Sequence, residues 1–307
     1  MNLAPIALFV YNRSWHTKQT IEALKNNKLA TDSDLIIFSD GPKNNDLNQQ
    51  QVNKVRKYLK TISGFKNIKI VERLENYGLA KSIIIGVTEV INNYGRVIVI
   101  EDDLITSRYF LNYMNETLNL YKNDNEVISI HGFIYPIKEK LPETFFLRGA
   151  DCWGWATWKR GWNLFETNGQ KLLDELETKR LTQEFDFNNS YPFTQMLRDQ
   201  IKKRNNSWAI RWYASAFLKN KLTLYPGQSL IKNIGFDNSG THCNGINKIN
   251  SESNVENIKI KVEKIKIIKN FKAHLLITNY FWKQNNFLIR CFRFLKRILK
   301  YSLKINK

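Results

Sequence analysis

Three consecutive carboxylates, Glu101, Asp102 and Asp103, follow directly on Arg96-Val97-Ile98-Val99-Ile100. Four β-branched apolar residues in a row read as a strand buried on both faces. The acids then stand where that strand leaves its sheet, and in open α/β sheets ligands bind beyond the carboxyl ends of the strands. Adjacent carboxylates repel one another, and burying them unpaired is costly. A hard divalent cation, Mg²⁺ or Mn²⁺, relieves the repulsion and can bridge substrate phosphates. The same residues also suit a solvated acidic turn or a helix N-terminus, so the neighbouring chain has to decide.

Upstream, residues 6–11, 35–39 and 68–71 read as three further strands. Between them lie a helix opened by Ser14 or Thr17, a polar helical stretch over 43–62 with Val52, Val55, Leu59 and Ile62 on one face, and a turn at 76–82 leading into a helix with Ile84, Val87, Val90 and Ile91. Four strand–helix alternations within the first 104 residues predict an α/β fold with a mostly parallel, Rossmann-like sheet. The chain has neither G-x-G-x-x-G nor a Walker loop, so neither a dinucleotide nor a P-loop phosphate site is indicated. Downstream come a helix from Ser107 to Tyr121 and a short strand at 127–130.

The texture then changes. Trp153, Trp155, Trp158 and Trp162 fall within ten residues, separated partly by small ones. Such a surface suits stacking on sugar rings or bases. Trp155, Trp158 and Trp162 also have helical spacing, which equally fits a helix packed into the core. A polar helical stretch runs to about 206, another helix spans 207–220, residues 222–226 return as a strand, and 235–243 form a loop that holds His242.

The sequence has 307 residues, 43% of them hydrophobic and 13% aromatic, enough for a full core without disulfides. Cys152, Cys243 and Cys291 are odd in number and lack metal-ligand spacing, which fits a reducing compartment. The start lacks the pattern of a signal peptide and no apolar run is long enough to span a bilayer. Net charge is +19, a balance suited to anionic ligands or membrane surfaces. From Asn270 onward there are nine Lys/Arg and no Asp/Glu. From residue 287 apolar positions alternate with Arg290, Arg293, Lys296, Arg297, Lys300 and Lys304 at helical spacing, a basic amphipathic helix of the kind that lies in anionic membrane interfaces. The expected organisation is one domain over 1–245, with halves at about 1–104 and 105–245, a connector over 246–283, and the basic tail over 284–307.

These residues together resemble the GT-A nucleotide-sugar glycosyltransferases, in particular the N-acetylglucosaminyltransferase I type and bacterial relatives that build surface polysaccharides. The features that carry the likeness are residues 5–13 ending in Arg13, Ser39-Asp40-Gly41, Asn76-Tyr77-Gly78-Leu79-Ala80 as an N-x-G-x-A turn, Glu101-Asp102-Asp103 as a variant D-x-D, and the segment from Tyr225 to His242. The resemblance covers about residues 4–243. It implies a GT-A domain and Mn²⁺ or Mg²⁺ held by Asp103, with His242 as a late metal or phosphate contact. It also implies donor contacts from Arg13, Asp40, Asn76, Gly78, Lys81, Glu101 and Asp102. The implied reaction moves a sugar, a hexose or N-acetylhexosamine, from a UDP-sugar to a saccharide or lipid-linked saccharide acceptor in lipopolysaccharide-like glycan synthesis. The implied setting is bacterial and cytoplasmic, peripheral at the inner face of the membrane.

An inverting member needs a carboxylate to take the acceptor hydroxyl's proton. Related enzymes carry it near the position where this chain has Asn205 and Asn206, and an amide has no useful basicity. Asp151, beside the tryptophans, is the first substitute, with Asp186, Asp199 and Asp237 behind it. Trp153, Trp155 and Trp208 are the expected acceptor platform. Two other readings compete. A catalytically inactive scaffold fits the two asparagines. A nucleic-acid-binding protein fits the charge, but the cations gather in a tail with an apolar stripe rather than among the aromatics, so no nucleic acid is expected as a partner.

Overall fold

The computed structural model describes residues 3–237 and 254–285. Its first half alternates β1 (Ile6–Val10), α1 (Ser14–Lys25), β2 (Asp34–Ser39), α2 (Asp46–Leu59), β3 (Asn67–Glu72), α3 (Gly78–Tyr94) and β4 (Arg96–Glu101). After β4 come β5 (Leu104–Thr106), α4 (Phe110–Leu120), β6 (Val127–His131), β7 (Thr144–Arg148), β8 (Trp155–Trp158) and α5 (Lys159–Trp162). Four helices follow, α6 (Gly169–Thr178), α7 (Thr182–Phe185), α8 (Phe193–Ile201) and α9 (Ala209–Leu218), then β9 (Leu222–Pro226), β10 (Ile231–Asn233) and α10 (Phe271–Asn285).

Eight strands form one sheet in the order β3-β2-β1-β4-β8-β6-β9-β7, and β5 pairs with β10 apart from it. β3, β2, β1 and β4 are parallel; β8 and β7 run against their neighbours, and β6 and β9 are parallel to each other. The α/β expectation with a mostly parallel, Rossmann-like sheet therefore holds.

Strands buried on both faces need apolar residues at every position, and β1 and the heart of β4 have them. Ala7, Phe9, Ile36, Phe38, Val97 and Val99 face α3 through Ile83, Val87 and Ile91. Leu8, Val10, Leu35, Ile37, Ile98 and Ile100 face the opposite layer through Ile21, Leu24, Val55, Met114 and Leu118. A third apolar cluster joins α6, α8 and α9 to β7 through Leu173, Leu197, Phe217 and Phe145.

Residues 254–270, expected as a connector, lie along the domain. The amide of Arg108 donates to the Glu256 carbonyl (2.9 Å), Ser107 Oγ donates to the Ile258 carbonyl (2.6 Å), and the Asn270 amide donates to Phe146 (2.8 Å). Asn270 then caps α10 by accepting from the Ala273 amide at 2.9 Å. The helix buries Ala273, Ile277 and Phe281 in the third cluster. Among the described residues no helix is long and apolar enough to cross a membrane. The expected tail over 284–307 lies outside the described residues except for its first two.

His274 on α10 stacks on Phe187 (ring centroids 4.8 Å apart, 11° between planes). Burial, then the neighbouring Lys269, holds its imidazole down to about 4, with Glu184 acting in the opposite sense. The folded chain thus binds fewer protons than the unfolded one between the ordinary value of 6.5 and about 4. This group's contribution is complete above the ordinary value and is lost as pH falls through the depressed one. The melting temperature of His274→Phe relative to the parent should therefore rise as pH falls from 7 to 4, whatever the other groups contribute; an identical pH profile for the two proteins would refute the assignment.

Candidate active site

Strand register brings the charged residues to one level. Phe9 pairs with Glu101 and Val10 with Ser39 across the sheet, so the residues just past β1, β2 and β4 share its carboxyl edge. Arg13 stands immediately before α1 and donates through Nη2 to Asp102 Oδ1 and to Asp103 Oδ2, the latter at 2.8 Å. Thr20 Oγ1 on α1 fixes the bend after β4 by donating to the Asp102 carbonyl at 2.8 Å.

One guanidinium does not balance three carboxylates. Burial, then the charges of Asp103 and Asp102, pushes the Glu101 carboxyl up to about 8 despite Arg13. Asp102 is also raised, because burial outweighs the pull of Arg13. On Arg13 burial works the other way, and the two aspartates more than offset it, holding the guanidinium above its ordinary value.

The β5–β10 ribbon closes on this cluster. The Ile234 amide donates to the Asp103 carbonyl at 2.9 Å. A Cβ at Gly235 would stand 2.2 Å from Asp103 Oδ2, so only glycine lets the chain pass there. His16 Nε2 and Asp237 Oδ2 are 3.0 Å apart, which ties the same segment to α1. His242 lies outside the described residues.

Asp40, expected among the donor contacts, is held in a network of its own. Its Oδ1 accepts from the amides of Gly41 (3.0 Å) and Tyr77 (2.9 Å), and its Oδ2 from the Gly78 amide (2.9 Å) and Asn76 Nδ2 (3.2 Å). Both oxygens of this buried carboxylate are thus occupied, and Asp40 clamps the turn that opens α3. Gly78 supports it by adopting φ +70°, and Asn76 adds a bond to the Gly41 carbonyl at 2.8 Å. Lys81, exposed on the first turn of α3, rests over the Tyr77 ring at 4.1 Å. Asp40→Ala strands several donors at once, so it should lower stability by about 2–3 kcal/mol, read as a shift in the denaturant midpoint. An unchanged midpoint would show the clamp to be dispensable.

Across the edge stands Asp151, partly exposed, with Oδ1 accepting from the Cys152 amide at 2.8 Å. The Cys152 thiol is pushed well above its ordinary value by burial and then by Asp151, Glu101 and Asp103. Val99 of β4 pairs with Trp155, and the Trp153 ring touches Phe236, the neighbour of the Gly235 that lies against Asp103, so Asp151 and the carboxylate triplet stand at the same edge of the sheet. Asp151 also raises the phenols of Tyr135 and Tyr191, after burial, and lies 3.9 Å from His131 Nε2. That buried imidazole nitrogen accepts from the Trp153 amide at 3.1 Å, which fixes the loop before β8. The alternatives to Asp151 are committed elsewhere. Asp186 accepts from the Thr194 amide and hydroxyl, Asp199 pairs with Arg204, and Asp237 pairs with His16. Asn205 braces its own loop by donating to the Met196 carbonyl and accepting from the Ser207 amide.

The expected acceptor platform divides. Trp153 is partly exposed, with its ring edge-on to Phe133 (4.7 Å) and Phe236 (5.6 Å). Trp155 and Trp208 cannot stack on a sugar, because both are buried and stack on each other (5.5 Å, 30°). Trp155 and Trp158 belong to strand β8, not to a helix. Sequence reading passed over Tyr135, Tyr191 and His131. A single tyrosine or histidine carries no periodic signal, and these meet only through packing of distant segments.

Among the described residues no three His, Cys, Asp or Glu side chains form a complete metal cage. The donor set nevertheless suits a hard cation. Three carboxylates stand beside one guanidinium, Glu101 is raised by burial and then by its acidic neighbours, and Arg13 holds Asp103 through Oδ2 alone, leaving Oδ1.

No family model matches the sequence, and no curated protein matches it. Solved structures that show some likeness include S. aureus TarS (14% identity, TM-score 0.32, over 48% of this chain and 24% of that one). The S. aureus TarS 1–349 structure matches at 13% identity and TM-score 0.33, over 49% and 41%. The mannosyltransferase PcManGT from Pyrobaculum calidifontis, in complex with GDP-Man and Mn²⁺, matches at 10% identity and TM-score 0.38, over 71% and 68%. The chain thus spans about a quarter of TarS and two fifths of its 1–349 fragment. Likeness this slight assigns neither substrate nor reaction to this chain.

Proposed function

We propose that this protein is a metal-dependent glycosyltransferase that moves a sugar from a nucleoside-diphosphate sugar, a UDP-sugar first, to a saccharide hydroxyl with inversion. The observation that carries the reading is the convergence of Arg13, Glu101, Asp102 and Asp103 at the carboxyl edge of the sheet, with Asp151 on the neighbouring loop before β8. Asp103, with Glu101 beside it, would hold Mn²⁺ or Mg²⁺, and a bound cation supplies charge stabilisation for the departing diphosphate. Arg13 and Lys81 add fixed positive charge on the donor side. Asp151 orients the acceptor hydroxyl and takes its proton as the oxygen bonds to the anomeric carbon and the bond to the diphosphate breaks. Trp153, Tyr135 and Tyr191 give that hydroxyl's ring an aromatic wall.

Calorimetric titration with UDP, then GDP, in Mn²⁺ and in chelator tests the donor site. Metal-dependent binding is expected, with slow hydrolysis of the matching nucleotide sugar. Absence of binding to every nucleotide would instead favour the scaffold reading, which the amides at 205 and 206 support. Asp151→Asn should lower kcat for transfer while leaving the donor's binding unchanged.

A further inference from the structure

Three large apolar side chains of α10 meet solvent beside its exposed polar residues. Phe271, Leu275 and Trp282 are 79%, 57% and 52% exposed, and Ile268, just before the helix, is 54% exposed. At 3.6 residues per turn, positions 271, 275, 278 and 282 form one narrow stripe. Ala273, Ile277 and Phe281, facing away from it, are the helix's buried residues. Lys272 and Lys283 are exposed along one flank, and among the described residues neither has an acidic partner. From Asn270 to the end of the sequence there is no acid at all against nine Lys/Arg.

We infer that this face of α10 docks on an anionic lipid surface. Phenylalanine, leucine and tryptophan on a narrow stripe suit the headgroup boundary, where the indole keeps its N–H wet. Lysines on the flank keep their heads among lipid phosphates while their stems lie along the apolar surface. A protein partner of this face would need matching carboxylates around an apolar centre; a bilayer of anionic lipid presents both without specific fit.

The same helix also touches the acceptor side. The Phe281 ring lies 4.7 Å from Tyr135 and 4.8 Å from Tyr191, two of the tyrosines that feel the charge of Asp151. Resting on the proposed transferase reading, the docked helix makes a lipid-carried saccharide the acceptor class, its carrier in the bilayer and its sugar beside Asp151.

The test uses the full chain and vesicles of phosphatidylcholine with or without 30% phosphatidylglycerol, a composition chosen for the assay. Sedimentation should show binding to the anionic vesicles, weakened at least tenfold by the triple change Phe271→Ser, Leu275→Ser, Trp282→Ser and, separately, by Lys272→Glu with Lys283→Glu. Circular dichroism and UDP titration should be unchanged in both. Full vesicle binding by the triple variant would overturn the inference, and so would loss of a dimer in the variant with no vesicle binding in the parent. For the acceptor class, the triple variant should lose transfer to a lipid-linked saccharide relative to a soluble one. Vesicle binding without any nucleotide binding would leave the docking surface standing and remove the transferase reading alone.

Discussion

Replacing Trp155 with alanine should cost about 3–5 kcal/mol of stability, the usual range for emptying a buried tryptophan site. Trp155 is wholly buried, and Trp162, Trp208 and Trp212 lie 5.3 to 5.7 Å apart or from it in four of their ring pairs. These rings belong to β8, α5 and α9 or its first turn, so one side chain fills the junction between the parallel half of the sheet and the helices beyond it. The Trp162 indole also donates to Thr88 Oγ1 on α3 at 2.9 Å, so loosening the cluster loosens the helix whose first turn Asp40 clamps. Trp155→Phe should lose much less. It keeps an aromatic ring and removes an indole N–H that has no hydrogen-bond partner among the described residues. Denaturant unfolding of the three proteins checks this; equal losses for Ala and Phe would show that ring packing is not what holds the site together.

Asp103→Asn should leave the fold intact and reduce metal-dependent turnover of the nucleotide sugar on the order of 10²–10³-fold, the scale seen when one preorganised electrostatic group is removed. The fold should survive because Arg13 keeps Asp102 and the Thr20 bond to the Asp102 carbonyl is untouched. The amide retains the shape against Gly235 but not the charge. Single-turnover hydrolysis in Mn²⁺, beside a melting curve, separates the two effects. Undiminished turnover would remove Asp103 from the metal assignment.

Much of this was legible from the chain because burial on both faces leaves an unambiguous record. β1, β2 and β4 are runs of Ile, Val, Leu and Phe too short for a helix, and each ends in a polar turn. The acidic triplet was visible for the same reason, since position after such a strand fixes its place in the fold. β8 was not legible. Trp155-Ala156-Thr157-Trp158 is four residues long, and with Trp162 its spacing matches a helix as well as a strand. β5 and β10, three residues each, are too short for any period to register. β7 carries consecutive apolar residues, Phe145-Phe146-Leu147, inside a stretch without alternation. Asp40 could be picked out but its role could not. Three of its four donors reach it only because the turn at 76–78 folds back on the end of β2. The nearness of the Asp151 charge to Tyr135 and Tyr191 depends likewise on packing between segments far apart in sequence.

The β5–β10 ribbon also sets an order of events in synthesis. Thr106 pairs with Ile231 and Leu104 with Asn233, and Glu256 then meets Arg108. A chain leaving the ribosome can assemble β1 to β4 and bring Arg13 to the carboxylates long before Gly235 exists. The strand that closes over Asp103 arrives after more than a hundred further residues, and contacts of such separation form slowly. A nascent chain therefore passes through a stage with its first four parallel strands built and its acidic cluster open on one side, and the ribbon is among the last pieces to complete the fold.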